Sequence, residues 1–232
     1  MAGYVAPDKK TMELLDGFRK CTASQVIDAM ENIGLSDTNV STAIDLEPLD
    51  RSLGTMAGIA VTIHEGPRRV GRKELRLPRH GDLMREMGPG QVLVIAGGGG
   101  SEYCSWGGLL HIEGSRRGFE GVVVDGVARD FGQIVSTKTA VYCRGTNPLA
   151  DHFLAEVISI GEPVVCAGVH VKPGDFVVGD CDGVCFVPPE FAEDVLKEAV
   201  KKAGQEATRE KNLLRAPKDR LEEANKNLDF KM

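Results

Sequence analysis

The chain lacks any apolar run long enough to cross a membrane. Its first residues contain no basic region followed by an apolar core, the pattern that a secretory signal requires. It also lacks a surplus of positive charge, since 34 acidic residues outnumber 28 basic ones and the formal net charge is −6. A basic surface is needed for general affinity to nucleic acid. We therefore expect a soluble, cytoplasmic protein that binds neither membrane nor nucleic acid.

Motifs typical of several common active sites are also missing. The glycines at 97–100 fit neither a Gly-x-Gly-x-x-Gly fingerprint nor a phosphate-binding loop ending in Lys-Ser/Thr. There is no Gly-x-Ser-x-Gly elbow, and the five histidines show no metal-binding spacing. Because no secretory signal is seen, the six cysteines are expected to be reduced thiols. Cys181 and Cys185 have no further ligand at zinc-site spacing, so structural zinc is not expected. None of these motifs therefore identifies a catalytic site.

Amphipathic and β-branched stretches alternate along the 232 residues, an order that predicts an α/β fold. Helices are expected at residues 10–20, 22–33, 82–87, 107–117 and 190–215. Strands are expected at residues 57–64, 91–96, 121–124, 139–145, 157–161, 163–167, 176–180 and 184–188. The strands at 157–161 and 163–167 suggest a meander, and Asp182-Gly183 predicts a hairpin turn.

The expected domain organisation is simple. With 42% hydrophobic residues the chain can bury one large core, and we assign residues 1–215 to a single domain. Pro217 ends the last helix, so the Lys- and Glu-rich residues 216–232 are interpreted as a charged C-terminal arm.

The most informative stretch is residues 121–130, where a β-branched run ends in Asp-Gly and is soon followed by Arg129 and Asp130. Such a run is typical of a buried strand, and open α/β sheets bind ligands at the carboxyl ends of their strands. The guanidinium suits a carboxylate or a polarised carbonyl, while the carboxylate suits Mg²⁺ or Mn²⁺. A small anionic 2-oxo acid would use both groups. The alternative is a local ion pair that caps a turn.

A second motif runs from Tyr103 to Leu110 and contains the Gly107-Gly108 pair. A helix that begins after glycines presents unpaired backbone N–H groups, which favour an anion. On the residues alone, an ordinary helix start explains this motif equally well.

Together with residues 171–184, these two motifs resemble the family that contains the regulator of ribonuclease activity A and the class II pyruvate aldolases that cleave 4-hydroxy-4-methyl-2-oxoglutarate. The resemblance covers about residues 20–210. It implies a mixed β-sheet core flanked by helices, of the swivelling β/β/α type. It also implies a homotrimer or a dimer of trimers, with the site at a subunit boundary.

The resemblance also assigns roles to individual residues. Asp130 would hold a divalent metal mainly through water, and Arg129 would bind the keto oxygen of the substrate. Glu206 is the match for a glutamate of the helical tail that reaches the neighbouring subunit's pocket. Backbone N–H groups would bind the substrate carboxylate, and they belong to Gly107, Gly108, Leu109 and Leu110.

The sequence departs from the family pattern in two places. The family has an acidic residue 21 positions before the arginine, where it holds metal-bound water, but this chain has Gly108. Glu113 or Glu102 could substitute for it. Residues 65–80 form a basic segment where the family usually has a short Pro-Gly-Asp-Asn turn. This segment is interpreted as a solvated loop, or alternatively as a surface that attracts an anionic substrate or an acidic partner.

Three other titratable side chains allow two interpretations each. His111 is interpreted as a helix-surface residue, with proton exchange at the site as the alternative. Asp180 and Asp182 are interpreted as turn formers, with metal binding as the alternative.

The leading hypothesis is a metal-dependent lyase that forms a pyruvate-type enolate, either by retro-aldol cleavage or by decarboxylation. The missing acid at position 108 favours decarboxylation or an unusual substrate, because retro-aldol chemistry needs a base for the 4-hydroxyl. The alternative is a non-catalytic regulator that binds an RNA-processing enzyme. A methyltransferase, an older label for relatives, has no support in the glycine pattern.

Overall fold

The computed structural model describes residues 4–35, 45–68, 80–97, 103–150 and 154–217. The helices are α1 Lys9–Phe18, α2 Ala23–Asn32, α3 His80–Met84, α4 Gly108–Arg117, α5 Phe131–Ser136 and α6 Ala192–Arg215, the last preceded by a 3-10 turn at Pro189–Phe191. The strands are β1 Glu47–Pro48, β2 Met56–Pro67, β3 Gln91–Ala96, β4 Cys104–Trp106, β5 Gly121–Val124, β6 Val127–Ala128, β7 Ala140–Cys143, β8 Ala155–Ile160, β9 Val164–Cys166, β10 Val169–Val171, β11 Phe176–Asp180 and β12 Gly183–Val187.

A mixed sheet forms the centre of the fold. Its strands follow the order β1-β7-β5-β3-β2-β11-β12, and β8 pairs with the end of β2. The strands β2, β3, β5 and β7 are parallel, whereas β1, β8, β11 and β12 run antiparallel to their neighbours. The parallel strands therefore end at one edge. Strand β6 follows β5 at that edge and pairs with β4 in a small separate sheet.

Alternate residues of the central strands face different layers, as the two-residue period of a strand requires. Val92, Val94 and Val123 pack with residues of the β9–β10 hairpin on one face. On the other face, Leu93 and Ile95 pack with Met84, Leu110 and Ile134 of α3, α4 and α5. Helices α1, α2 and α6 cover β11 and β12 through a third apolar cluster. Hairpin, sheet and helices are the layers of the β/β/α arrangement, so the predicted α/β fold with a mixed sheet flanked by helices is confirmed.

Local signals in the sequence account for several element boundaries. The predicted capping box starts α2: Gln25 N–H donates to Thr22 Oγ1 at 3.1 Å, and Gln25 Oε1 accepts the Thr22 N–H at 3.0 Å. The predicted hairpin joins β11 to β12. Asp180 acts there as a turn former, because its two carboxylate oxygens accept the N–H groups of Asp182 and of Ala23 at the start of α2.

Other predictions need correction. The expected meander at 157–167 is wrong, since β8 pairs with β2 and β9 pairs with β10. Helix α3 begins at His80, two residues earlier than expected. Of the predicted C-terminal arm, residues 218–232 lie outside the described residues, and the single-domain assignment stays a prediction. In the described ranges, no helix combines the length and apolarity that membrane crossing requires.

Candidate functional site

Two short strands place two helix N-termini side by side. Strands β4 and β6 are parallel partners, with Trp106 opposite Ala128. Strand β4 leads through Gly107 into α4, and β6 leads through Arg129 and Asp130 into α5. The Arg129 N–H donates to the Trp106 carbonyl at 2.9 Å, which fixes the two connections next to each other. The two motifs that the sequence analysis singled out therefore meet at the carboxyl edge of the sheet.

The Asp130 carboxylate joins the two motifs. Gly108 N–H donates to Asp130 Oδ2 at 3.2 Å, and Arg129 Nε lies 3.7 Å from the same oxygen. Asp130 occupies the N-cap position of α5, but its side chain makes no capping bond to its own helix. Its φ of 63° is left-handed, a strained conformation that turns the carboxylate toward α4. The side chains of Arg129 and Asp130 are 38% and 42% exposed, so solvent reaches both.

The glycines of the Tyr103–Leu110 motif allow close approach to these side chains. A Cβ at position 107 would lie 3.3 Å from Arg129 Nε and 3.4 Å from Asp130 Oδ2. A Cβ at position 108 would lie 2.8 Å from the Cβ atoms of Asp130 and Gln133, and Gln133 Oε1 would also overlap it. A side chain at position 108, such as the family's acidic residue, thus has no room unless both Asp130 and Gln133 shift.

Gln133 is a site residue that the sequence analysis missed. It lies on the first turn of α5, and its N–H donates to the Asp130 carbonyl at 2.9 Å. A signal for it was present, because Asp130-x-x-Gln133 has the spacing of a capping box. The structure uses that spacing differently, since the Asp130 side chain bonds to Gly108 instead of its own helix.

The two proposed substitutes for the missing acid have different outcomes. Glu113 is bound to Arg117 on the surface of α4, at 2.9 Å and 3.2 Å, and is therefore engaged away from the helix start. Glu102 lies outside the described residues.

The backbone N–H groups of the two leucines after Gly108 lie in the first turn of α4. The first intrahelical bond of α4 runs from His111 N–H to the Gly107 carbonyl at 3.1 Å, so the N–H groups of Leu109 and Leu110 precede the helical ladder. The Leu109 side chain is 75% exposed, whereas Leu110 packs on the core. Their assignment as substrate ligands through backbone N–H groups stays a prediction.

His111 is fully buried, so its interpretation as a helix-surface residue is wrong. Trp106 Nε1–H donates to His111 Nδ1 at 3.2 Å, and His111 Nε2 lies 3.0 Å from Thr137 Oγ1 and 3.2 Å from the Thr139 carbonyl. Burial lowers the pKa of the imidazole to about 4, partly opposed by its hydrogen bond to Thr139. A substrate cannot reach this side chain without displacing Trp106 or the threonines.

The tail residue Glu206 is bonded within its own chain. Its Oε2 accepts Gln25 Nε2–H at 2.7 Å, which ties α6 to the capping box of α2. That Glu206 reaches the pocket of a neighbouring subunit stays a prediction.

The basic segment at 65–80 is only partly described. Glu65 belongs to β2, and its Oε1 lies 2.6 Å from Nε2 of His80, the first residue of α3. The Arg68 N–H donates to the Leu154 carbonyl at 2.9 Å. Residues 69–79, which carry most of the positive charge, lie outside the described residues. The two ends of the segment, Glu65 and His80, thus form a buried pair, and the interpretation of the residues between them as a solvated loop stays a prediction.

The described residues contain one group of three metal-type side chains, Asp180, Cys181 and Asp182. It lies at the β11–β12 turn rather than at the two helix starts. Because both Asp180 oxygens already accept backbone N–H groups, this group is explained by the turn.

Comparisons with known proteins show what this chain is similar to. A family profile described as RraA-like, Aldolase/RraA, matches residues 23–186. The chain is 35% identical over 128 residues to a protein of Halalkalibacterium halodurans provisionally named 4-hydroxy-4-methyl-2-oxoglutarate aldolase, covering 55% of this chain and 60% of that protein. It is 35% identical over 111 residues to an uncharacterized protein of Methanocaldococcus jannaschii, covering 47% of this chain and 51% of that protein.

A solved structure resembles the fold over a longer range. It is RraAS2 of Streptomyces coelicolor, described as an unusual member of the RNase ES inhibitor RraA protein family. The identity is 26% and the TM-score 0.76, over 88% of this chain and 97% of the other. By contrast, the chain spans only half to three fifths of the length of the two curated relatives.

Proposed function

Because the chain belongs to the RraA-like, Aldolase/RraA family, we propose that it is a divalent-metal-dependent carbon–carbon lyase acting on a small anionic 2-oxo acid. The observation that carries the proposal is the bond from Gly108 N–H to the Asp130 carboxylate, beside Arg129. This bond brings a carboxylate, a guanidinium and a helix N-terminus together in one solvent-accessible place. A chelated 2-oxo acid presents the complementary metal ion, keto oxygen and carboxylate.

The donor set at Asp130 suits a hard cation such as Mg²⁺ or Mn²⁺. Its Oδ2 accepts the Gly108 N–H, while Oδ1 receives no hydrogen bond from the described part of the chain. Mg²⁺ usually keeps several waters and takes only one or two carboxylates from the protein, so Asp130 and water suffice. When bound, the metal would supply Lewis-acid polarisation of the keto and carboxylate oxygens of the substrate.

The chain's own residues would bind and orient the substrate. The Arg129 guanidinium would hold the keto oxygen and stabilise the negative charge that develops there in the enolate. The N–H groups of Leu109 and Leu110, at the positive end of α4, would bind the carboxylate next to the keto group.

We favour decarboxylation of an oxaloacetate-like acid over retro-aldol cleavage. Retro-aldol cleavage needs a base that takes the proton of the 4-hydroxyl. Position 108 offers no carboxylate, and the adjacent Gln133 carries a neutral amide that does not accept a proton near neutral pH. Decarboxylation needs no such base, since the bond to the leaving carboxylate breaks and its electron pair forms the enolate.

The test is an assay of oxaloacetate and of 4-hydroxy-2-oxo diacids with Mg²⁺, with Mn²⁺ and with a chelator. We expect metal-dependent release of CO₂ from oxaloacetate and a slower or undetectable aldol cleavage. Faster cleavage of the hydroxy diacid than of oxaloacetate would show that retro-aldol cleavage is the preferred reaction. Turnover that the chelator leaves unchanged would contradict the proposal itself.

Gly108→Ala is expected to reduce kcat/KM by about tenfold, because small displacements at a site misalign reacting groups. The added Cβ overlaps Gln133 Oε1 and comes within 2.8 Å of the Asp130 Cβ. Adding Gln133→Ala should recover part of the loss, which a double-mutant cycle measures. The matched control is Gly132→Ala, where a Cβ meets nothing within 4 Å. Additive effects of Gly108→Ala and Gln133→Ala would show that the overlap with Gln133 Oε1 has no role, since both Cβ contacts remain in the double variant.

A non-catalytic regulator is the second candidate, favoured by the likeness to RraAS2 and its described inhibitor family. This function predicts no turnover and binding to an RNA-processing enzyme through the basic segment. Neutralising Arg68, Arg69 and Arg72 should then abolish capture of that enzyme, although positions 69 and 72 lie outside the described residues. Metal-dependent turnover by a protein that captures no such enzyme would exclude this candidate.

We also propose a cytoplasmic homotrimer or dimer of trimers, with Glu206 contributing to a neighbouring site. Sedimentation measures the assembly. Glu206→Gln should reduce turnover without dissociating the oligomer, whereas a residue that only bonds Gln25 within its own chain would leave turnover unchanged.

A further inference from the structure

The helices that begin at the proposed site are joined behind it by one buried imidazole. Helix α4 begins at Gly108 and α5 at Phe131, directly after Asp130. His111 lies on the first turn of α4 with no exposed surface. Its ring contacts Trp106 edge-on, with centroids 6.2 Å apart, and Phe119 with centroids 5.6 Å apart. Its position is therefore fixed by packing as well as by hydrogen bonds.

The hydrogen-bond partners of His111 determine which of its two ring nitrogens carries a proton. Indole N–H only donates, so the bond from Trp106 Nε1 requires an unprotonated Nδ1. The Thr139 carbonyl only accepts, so Nε2 carries the proton and donates to it. The Thr137 hydroxyl donates to the Ile134 carbonyl at 2.8 Å and accepts the Thr139 N–H at 3.2 Å, and its second lone pair can accept from Nε2 as well. The imidazole is thus the neutral Nε2–H form.

These partners connect His111 to both halves of the site. Trp106 directly precedes the Gly107-Gly108 pair, and its carbonyl accepts the Arg129 N–H at 2.9 Å. Thr137 is the C-cap of α5, the helix that Asp130 begins. The imidazole therefore bonds to Trp106, which precedes the N-cap of α4, and to the far end of α5, and so fixes how the two helices lie against each other.

We propose that His111 is a positioning residue: by holding α4 against α5 it sets the contact between the Gly108 amide and the Asp130 carboxylate. This role rests on the proposed function for its effect on turnover. The low pKa of the buried imidazole, about 4, keeps the neutral form dominant near neutral pH. The side chain need not touch the substrate, and its contribution is the alignment of groups that do.

Two substitutions separate the two bonds of the imidazole. His111→Asn retains an acceptor near the position of Nδ1 for Trp106 but is too short to reach Thr139. His111→Gln carries a donor near the position of Nε2 but loses the acceptor for Trp106. Each should lower kcat/KM by about tenfold, because the site loses its alignment. The matched control is Val178→Ala, which removes buried volume in the separate cluster under α1, α2 and α6. It should lower stability and leave kcat/KM unchanged well below the unfolding transition.

Hydrogen exchange of the Gly108 amide gives a readout that does not depend on turnover. We expect exchange at least about tenfold faster in both His111 variants than in the wild type, and unchanged exchange in Val178→Ala at the same temperature. Wild-type Gly108 exchange in both His111 variants would overturn the positioning role. If the wild type shows no turnover, the proposed function fails while the exchange result still decides the positioning role. Turnover in the wild type with equal kcat/KM in both variants would overturn the role and leave the function standing.

Discussion

Replacing Asp130 with asparagine is expected to lower kcat/KM for the 2-oxo acid by about 10²- to 10³-fold, the range found when one electrostatic group of an active site is lost. Asparagine retains an oxygen that can accept the Gly108 N–H, so the connection between the two motifs is preserved. Only the negative charge and its affinity for a divalent cation are removed. Steady-state kinetics at several Mg²⁺ concentrations measure the loss, and Mn²⁺ titration followed by electron paramagnetic resonance measures binding.

The control for this substitution is Asp182→Asn. Asp182 is an exposed carboxylate in the group of metal-type side chains at the β11–β12 turn. If the functional cation binds near Asp130, the control retains both Mn²⁺ binding and turnover. The opposite pattern, with Asp182→Asn inactive and Asp130→Asn active, would move the metal to the turn and end the assignment of Asp130.

The fold was predictable where local chemistry decides the structure. The capping box of Thr22 and Gln25 and the turn at Asp182-Gly183 depend on residues within a few positions of each other, and both occur as predicted. The strand at 91–96 was predicted to the residue. The pairing of β8 was not, because its partner β2 lies about ninety residues earlier in the chain. Nothing in the sequence of β8 distinguishes that partner from the adjacent β9.

The candidate site, like the fold, could be predicted from the sequence only in part. Arg129, Asp130 and the two glycines stand in recognisable motifs, and the structure brings these motifs together. The positions of Gln133 and His111 could not be predicted, because they depend on how α4 and α5 pack. The sequence alone does not show that His111 is buried, because its polar partners include Thr137 and Thr139 from outside α4.

The free energy of unfolding is expected to fall by roughly 3 kcal/mol between pH 6.5 and pH 4 because of His111 alone. Burial lowers the pKa of this imidazole in the folded protein to about 4, from an ordinary value of 6.5. Between these pH values the unfolded chain binds a proton that the folded protein does not, so acid favours unfolding. The difference in pKa, at about 1.4 kcal/mol for each pH unit, gives the stated loss. Above pH 6.5 both states are neutral at this residue and its contribution is complete.

Urea unfolding at a series of pH values from 7 to 4.5 measures this effect, with the fluorescence of the only tryptophan as the signal. His111→Gln is the reference, because every carboxylate titrates in both proteins and cancels in the difference. The variant should be less stable at pH 7, and its stability should fall less steeply as the pH is lowered, so the two curves approach each other near pH 4. Parallel curves would mean that folded His111 titrates near 6.5. The bond from the Trp106 indole to an unprotonated Nδ1 would then not persist at mildly acidic pH, and the link between α4 and α5 would be weaker than the structure indicates.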